Sequence, residues 1–302
     1  MSLTVIQGPA IISYGGLALY TESGITVDTK TENVEVTSDD YGVVDNINAG
    51  LSATIKCTPL MFSAGVGAAL WPYGSTMPGE LLCGTSDTPL VIQTRAGQKY
   101  TYVRACLSKM PQLRPTLKQA LIGEVEFTAF PSLNADLDTD GSFVATTASA
   151  WSDTSFDPDA ILRGPWTYTL GGSEFEADDD MQVSFELQTE VKSTTQRGPF
   201  DLALKGLKVT ASFTPVGLGH SGWLAMQKLQ GSGNGIGSRG RNRGSTLAVA
   251  CDGFSLSVPK LVPTASQTNF SASRQLEGQI QLSACRTLTS GALDDLFTVS
   301  GS

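Results

Sequence analysis

The chain has 302 residues, enough for two domains of ordinary size. Apolar residues make up 40% and charged residues 16%, with 32 glycines, a balance that suits a turn-rich β protein and excludes a helical bundle or a disordered chain. The net charge is −9, and no run approaches the ~20 apolar residues of a membrane span.

The start, Met1 to Gly8, lacks the basic region and apolar stretch of a secretory signal, so assembly in a cytoplasm is expected. The five cysteines (Cys57, Cys83, Cys106, Cys251, Cys285) are odd in number and form no C-x-x-C. Reduced, part-buried thiols are therefore expected, not a disulfide framework or a zinc site.

Along the chain, Leu51, Ala53, Ile55 and Cys57 alternate with polar residues, the period of two of a half-buried strand. Pro59 ends it, because proline cannot donate to a ladder. Val66 to Leu70 reads as a short helix before Pro72, and Val125, Phe127 and Ala129 mark another alternating strand. Residues 132–160, rich in Asp, Ser and Thr, read as a connection. Met181, Val183, Phe185 and Leu187 alternate next, followed by Leu207, Val209, Ala211 and Phe213 before Pro215. Trp223 to Leu229 is the better helix candidate, ended by Gly231, and residues 231–244 read as a Gly- and Ser-rich loop. Ile280, Leu282 and Ala284 complete the pattern.

These elements occur twice. Shifted by 156 positions, Gly8-Pro9 falls on Gly164-Pro165, Gly15-Gly16 on Gly171-Gly172, Gly42 on Gly198 and Asp45 on Asp201. Gly50, Leu51 and Thr54 fall on Gly206, Leu207 and Thr210, and Thr58-Pro59 on Thr214-Pro215. The repeated residues are mostly those that set turns and strand ends, so the duplication is architectural. The expected fold is mainly β: two tandem, homologous β-sandwich or β-barrel-like domains, each with one short flanking helix. The boundaries read as 1–131, an acidic linker at 132–160, and 161–302.

Charge is unevenly spread. Residues 22–45 hold seven acids against Lys30, and residues 134–190 hold thirteen against Arg163. Two readings stand: acids on solvated loops, or a polarised surface whose acidic parts meet basic parts of another copy.

Catalytic patterns are weak. His220 is the single histidine, with no G-x-S-x-G turn to accompany it. Asp178-Asp179-Asp180 are sequence neighbours, which on a strand alternate faces, and read as a solvated turn. Asp136, Asp138 and Asp140 with Gly141 match the start of a calcium loop, but Thr147 stands where the bidentate carboxylate belongs. Gly235 to Gly240 spells G-x-G-x-x-G without a surrounding strand and helix. Arg239, Arg241 and Arg243 form a small basic cluster, matched better to acidic protein surfaces than to nucleic acid. No enzyme activity, metal or cofactor is expected.

The run Gly24-Ile25-Thr26-Val27, Val34 through Thr37-Ser38-Asp39-Asp40-Tyr41-Gly42, and Gly50-Leu51 through Thr58-Pro59 resembles the tail tube proteins of tailed bacteriophages. The resemblance implies β-sandwich folds with one helix, rings of six folds, and rings stacked head to tail into a hollow virion tube that passes genomic DNA. With two folds per chain, three chains would complete a pseudo-hexameric ring. It also implies other tail proteins as partners, such as tape measure and tail-terminator proteins, with DNA held without specific contacts and no membrane. Asp39, Asp40, Tyr41, Arg197, Arg239, Arg241 and Arg243 are the candidate stacking residues. Hairpin arms at 22–45 and around 178–201 would reach the next ring. The alternative is a tandem β-sandwich binding or adhesion module for a carbohydrate or protein ligand.

Overall fold

The computed structural model describes residues 10–22, 24–60, 64–117, 121–133, 143–149, 161–178, 180–195, 198–216, 244–266, 269–271, 274–286, 288–289 and 292–301. It is a mainly β fold. Among the described residues there is one short helix, Ala64–Leu70, where a helix before Pro72 is expected. The second expected helix, at 223–229, lies outside the described residues.

In the first half, Ala10–Tyr14 and Leu17–Leu19 form a hairpin turned by Gly15 and Gly16, both at positive φ, where a side chain would be strained. This hairpin, Leu90–Thr94, Gln98–Tyr102 and Val144–Ala148 make a five-stranded sheet. A four-stranded sheet runs Thr26–Ser38, Gly42–Cys57, Val125–Phe130, Arg104–Lys109. Val144–Ala148 falls inside the segment expected to be a connection. Phe143 explains why: it is buried edge-on against Tyr102 at 5.7 Å, anchoring the one apolar stretch of that segment. The remainder of the expected linker, 134–142 and 150–160, lies outside the described residues.

The second half repeats this pairing scheme. Thr167–Leu170 and Ser173–Ala177 turn at Gly171 and Gly172. The long hairpin Gln182–Thr194 with Gly198–Phe213 matches Thr26–Ser38 with Gly42–Cys57 residue for residue at the 156 offset. Even the irregularities coincide. Register shifts fall between Glu32 and Asn33 and between Val36 and Thr37; in the second half they fall between Gln188 and Thr189 and between Lys192 and Ser193. Phe127 opposite Ile55 becomes Leu282 opposite Ala211. The closing strand Val144–Ala148, paired with Gln98–Tyr102, has its counterpart in Thr298–Gly301, paired with Phe254–Ser257.

The halves differ at one corner. In the first, Gln98–Tyr102 and Arg104–Lys109 are separate strands in separate sheets. In the second, Phe254–Ser266 is one continuous strand that pairs with Ser245–Cys251 and then with Ile280–Ala284. Its two sheets are thereby fused into one.

The core is shared. Trp71, just after the helix, packs against Phe185 and Phe254 of the second half, each with centroids at 6.1 Å, and donates to Pro111 O at 3.1 Å. Backbone pairing also crosses between halves. The short hairpin Leu113–Arg114 with Leu121–Ile122, from the first half, extends the second half's sheet, with Leu113 paired to Val183. Leu81 bridges Ala203, Gly79 N donates to Leu204 O at 2.7 Å, and Leu82 N to Leu202 O at 2.8 Å.

Candidate functional site: the arms and the junction

The segments expected as arms, 22–45 and around 178–201, fall largely within two longer hairpins, Thr26–Ser38 with Gly42–Cys57 and Gln182–Thr194 with Gly198–Phe213. In the first, Thr26–Thr37 is exposed throughout, and the seven acids from Glu22 to Asp45 all face solvent. A β-hairpin with both faces wet has no burial to hold it; cross-strand pairs and the turn set its register. At the tip, Asp39, Asp40 and Tyr41 are exposed, Tyr41 at 82%, and the Asp40 amide donates to Ser38 Oγ at 3.3 Å. Gly42 follows at φ 72°, as does Gly198 at φ 62° in the second arm. Val34, Val36, Val43 and Val44 add exposed apolar surface along the first arm.

The second arm carries compensated charge. Glu190 lies 3.2 Å from Lys205 and 3.5 Å from Lys192, and Glu186 lies 3.9 Å from Lys208. The hydrogen bond from Lys205, with the charge of Lys192, holds the Glu190 carboxyl below its usual range. Near its root, Asp180 accepts from Thr214 N at 2.8 Å and Thr214 Oγ1 at 2.6 Å. That carboxylate ties the arm's start to its end, where a solvated turn was expected. Asp178 makes backbone contacts there too, its amide donating to Thr214 O at 2.9 Å. Asp179, Arg197, His220, Asp136, Asp138, Asp140, Arg239, Arg241 and Arg243 lie outside the described residues.

The site missed in the sequence is the junction between halves. Arg104 and Asp201 form an ion pair at 2.7 Å with both side chains fully buried. Arg104 Nη2 also donates to Gly84 O at 2.8 Å, and Nη1 lies 3.5 Å from Asp87 Oδ1. Asp201 Oδ1 accepts the amides of Cys83 at 3.0 Å and Leu202 at 2.6 Å. Among the described residues Arg104 Nε has no hydrogen-bond partner. An uncompensated buried charge is costly, so each member holds the other in place. Around the pair lie Cys83, Cys106, Phe130 and Leu202, a small apolar cluster sealing the junction. Just beside it, Gly50 faces Pro199 so closely that any Cβ would collide with the proline ring.

Cys83, Cys106 and Asp201 bring three ligand-type atoms within 4.8 Å of one another. The arrangement suits a cation badly, because Asp201 is already engaged by a guanidinium and two amides. The hydrogen bond with Cys83 and burial push the Cys106 thiol well up, favouring the protonated form that does not bind metal. A groove of about 540 Å³ lined by Trp166, Tyr168, Phe175, Glu174, Glu176 and Val216 offers aromatic and carboxylate groups on the second half. Among the described residues, no helix is long and apolar enough to cross a membrane.

A comparison with known protein families and with curated proteins returns no match.

Proposed function

We propose that the chain is a structural tube protein: two tandem copies of one β fold that occupy neighbouring places in a ring, with rings stacked into a hollow tube like those of bacteriophage tails. Three chains would give pseudo-six-fold rings, located in a virion and assembled in the host cytoplasm. The observation that carries this reading is the first half's Leu113 hairpin extending the second half's sheet at Val183, between halves that share one pairing scheme. A fold that joins its own copy by extending a sheet can join further copies in the same way.

The exposed arms supply the second requirement, a surface that reaches beyond the ring. The acids Asp39 and Asp40 with Tyr41 at one tip, and Arg197, which matches Tyr41 in the sequence repeat, are the stacking residues of this reading. Arg239, Arg241 and Arg243 are the acceptors of the acidic arm. Passage of DNA needs no specific contact, and an acidic chain avoids holding the polyanion fast. Tape measure and tail-terminator proteins are the further partners.

Electron microscopy of the purified full chain at high concentration tests the proposal. Three-fold rings or hollow tubes are expected, and in a salt series Arg239→Ala, Arg241→Ala and Arg243→Ala together should make tube assembly more salt-sensitive. A monodisperse single chain would overturn the reading. A second reading, a tandem binding module, draws on the groove of Trp166, Tyr168 and Phe175 flanked by two glutamates. Saturable binding to a glycan array by such a single chain would favour it.

A further inference from the structure

We infer that the junction between the two halves is also the template for chain-to-chain contact, with Lys260 of one chain paired to Asp45 of the next. The inference rests on the self-assembly part of the function proposed above and names the surfaces that carry it.

The junction has two sides. The first half contributes Arg104, Cys106, Phe130, Gly50 and the Leu113 strand; the second contributes Pro199, Asp201, Leu202 and the Val183 edge. Because the pairing scheme recurs, each position has a counterpart in the other half. These counterparts form two further surfaces, which the described residues of the single chain do not cover as the junction is covered.

On one surface, Asp45 corresponds to Asp201. Both follow the second register shift of their arm, and both accept the next residue's amide, Asp45 Oδ1 from Asn46 at 2.8 Å. Asp201 is fully buried, whereas Asp45 is exposed. Beside it, Val43 is 59% exposed and stands where Pro199 is buried. Among the described residues the strand Thr26–Ser38 has no partner on its outer edge, where the equivalent edge of Gln182–Thr194 receives Leu113. An open strand edge beside exposed valines is a surface that proteins ordinarily cover.

On the other surface, Lys260 corresponds to Arg104. Arg104 lies opposite Phe130, and Lys260 lies beside Cys285, whose amide donates to Lys260 O at 2.9 Å. Phe130 is buried and Cys285 is exposed. The short hairpin Asn269–Ser271 with Arg274–Glu277 stands where Leu113–Arg114 with Leu121–Ile122 stands in the first half. It forms a separate two-stranded sheet among the described residues, although its counterpart is joined to Val183. The charges of the two open surfaces are complementary, as they are within the chain.

An independent observation concerns Gly206. Gly50 is glycine because Pro199 would collide with a Cβ, but a Cβ at Gly206 would meet only the amide end of Gln188. Gly206 does not adopt the positive φ that favours glycine. Among the described residues, nothing within one chain requires glycine there. Docking the next chain's Val43 where Pro199 docks on Gly50 supplies the requirement.

The test uses the full chain, with sedimentation reading association and electron microscopy reading rings or tubes. Lys260→Glu and Asp45→Lys should each weaken chain association by about tenfold or more, and the two changes in one chain should restore it. Gly206→Val should leave the thermal unfolding of the unassociated chain unchanged while blocking association. Rings that form normally in the single variants, no recovery in the double variant, or normal association of Gly206→Val would overturn this interface and leave the tube reading standing. Charge-dependent pairing of chains that never close into rings or tubes would support the interface and overturn the tube. A wild-type chain that stays single at all concentrations would overturn both.

Discussion

The two arms share length, register and both bulges, yet their environments diverge. Among the described residues the first is wet, acidic and without a partner along its outer edge; the second has its root covered by the other half and its charges matched by lysines. Part of this is written in the local sequence, since Asn46 and Asn48 correspond to the buried Leu202 and Leu204, but the aspartates before them do not differ. Asp45 and Asp201 are the same residue at the same bulge, and one is exposed while the other is fully buried. What differs is the neighbour: Arg104 and the 79–83 segment lie over the second arm.

The comparison breaks most sharply at those two aspartates. Asp201→Ala leaves the fully buried Arg104 with only the longer 3.5 Å contact to Asp87 and should cost about 3–5 kcal/mol. Asp45→Ala on a solvated arm should stay within about 0.5 kcal/mol. Urea unfolding of the unassociated chain measures both, and equal losses would show that burial of Asp201 is not what distinguishes the arms.

Next come the paired glycines. Gly50→Val drives a side chain into Pro199 and should cost about 1–3 kcal/mol as overpacking. Matched losses at Gly50→Val and Gly206→Val in the single chain would erase the asymmetry between junction and open surface. A smaller and symmetric effect is expected at the arm tips. Gly42 and Gly198 both hold positive φ, so alanine at either should cost about 1 kcal/mol. Unequal losses there would mean that the tips, too, feel different neighbours.

Much of this was legible in the chain. The 156-residue repeat located both hairpins, because Gly15-Gly16 and Gly42 recur where the turns demand positive φ. Alternation from Leu51 to Cys57 and from Leu207 to Phe213 marked the strands that line the core. The closing strand Val144–Ala148 was hidden, since four of its five residues are Ala or Thr beside an acidic stretch, and only Phe143 signals an anchor. The Arg104–Asp201 pair was harder still. Its partners are 97 residues apart, and periodicity reports which face a residue shares but not which distant charge it meets. The identity of Asp45 and Asp201 was the available signal, and it read as a turn residue until a buried arginine appeared beside one of them.

The smallest expected effect sharpens the comparison inside the cores. Cys57 and Phe213 occupy matching positions, opposite Val125 and Ile280 respectively, so only the first half places a titratable group there. Burial, with the nearby Glu124 charge adding to it, pushes the Cys57 thiol up from 9.0 to about 12. A pKa raised on folding gives stability that is complete below the unfolded value and lost as pH climbs toward the folded one. Buried Tyr14 and Tyr73, both also shifted upward, act in the same direction at higher pH. Unfolding in urea at pH 8, 9 and 10 should therefore show stability falling above pH 9. Cys57→Ala should lower stability at pH 8, through the lost packing, and make the decline between pH 9 and 10 shallower, the remainder coming from the raised thiols of Cys106 and Cys251. The same slope in both proteins would place the alkaline sensitivity elsewhere, and the two cores would then be alike in the one respect in which their matched residues differ most.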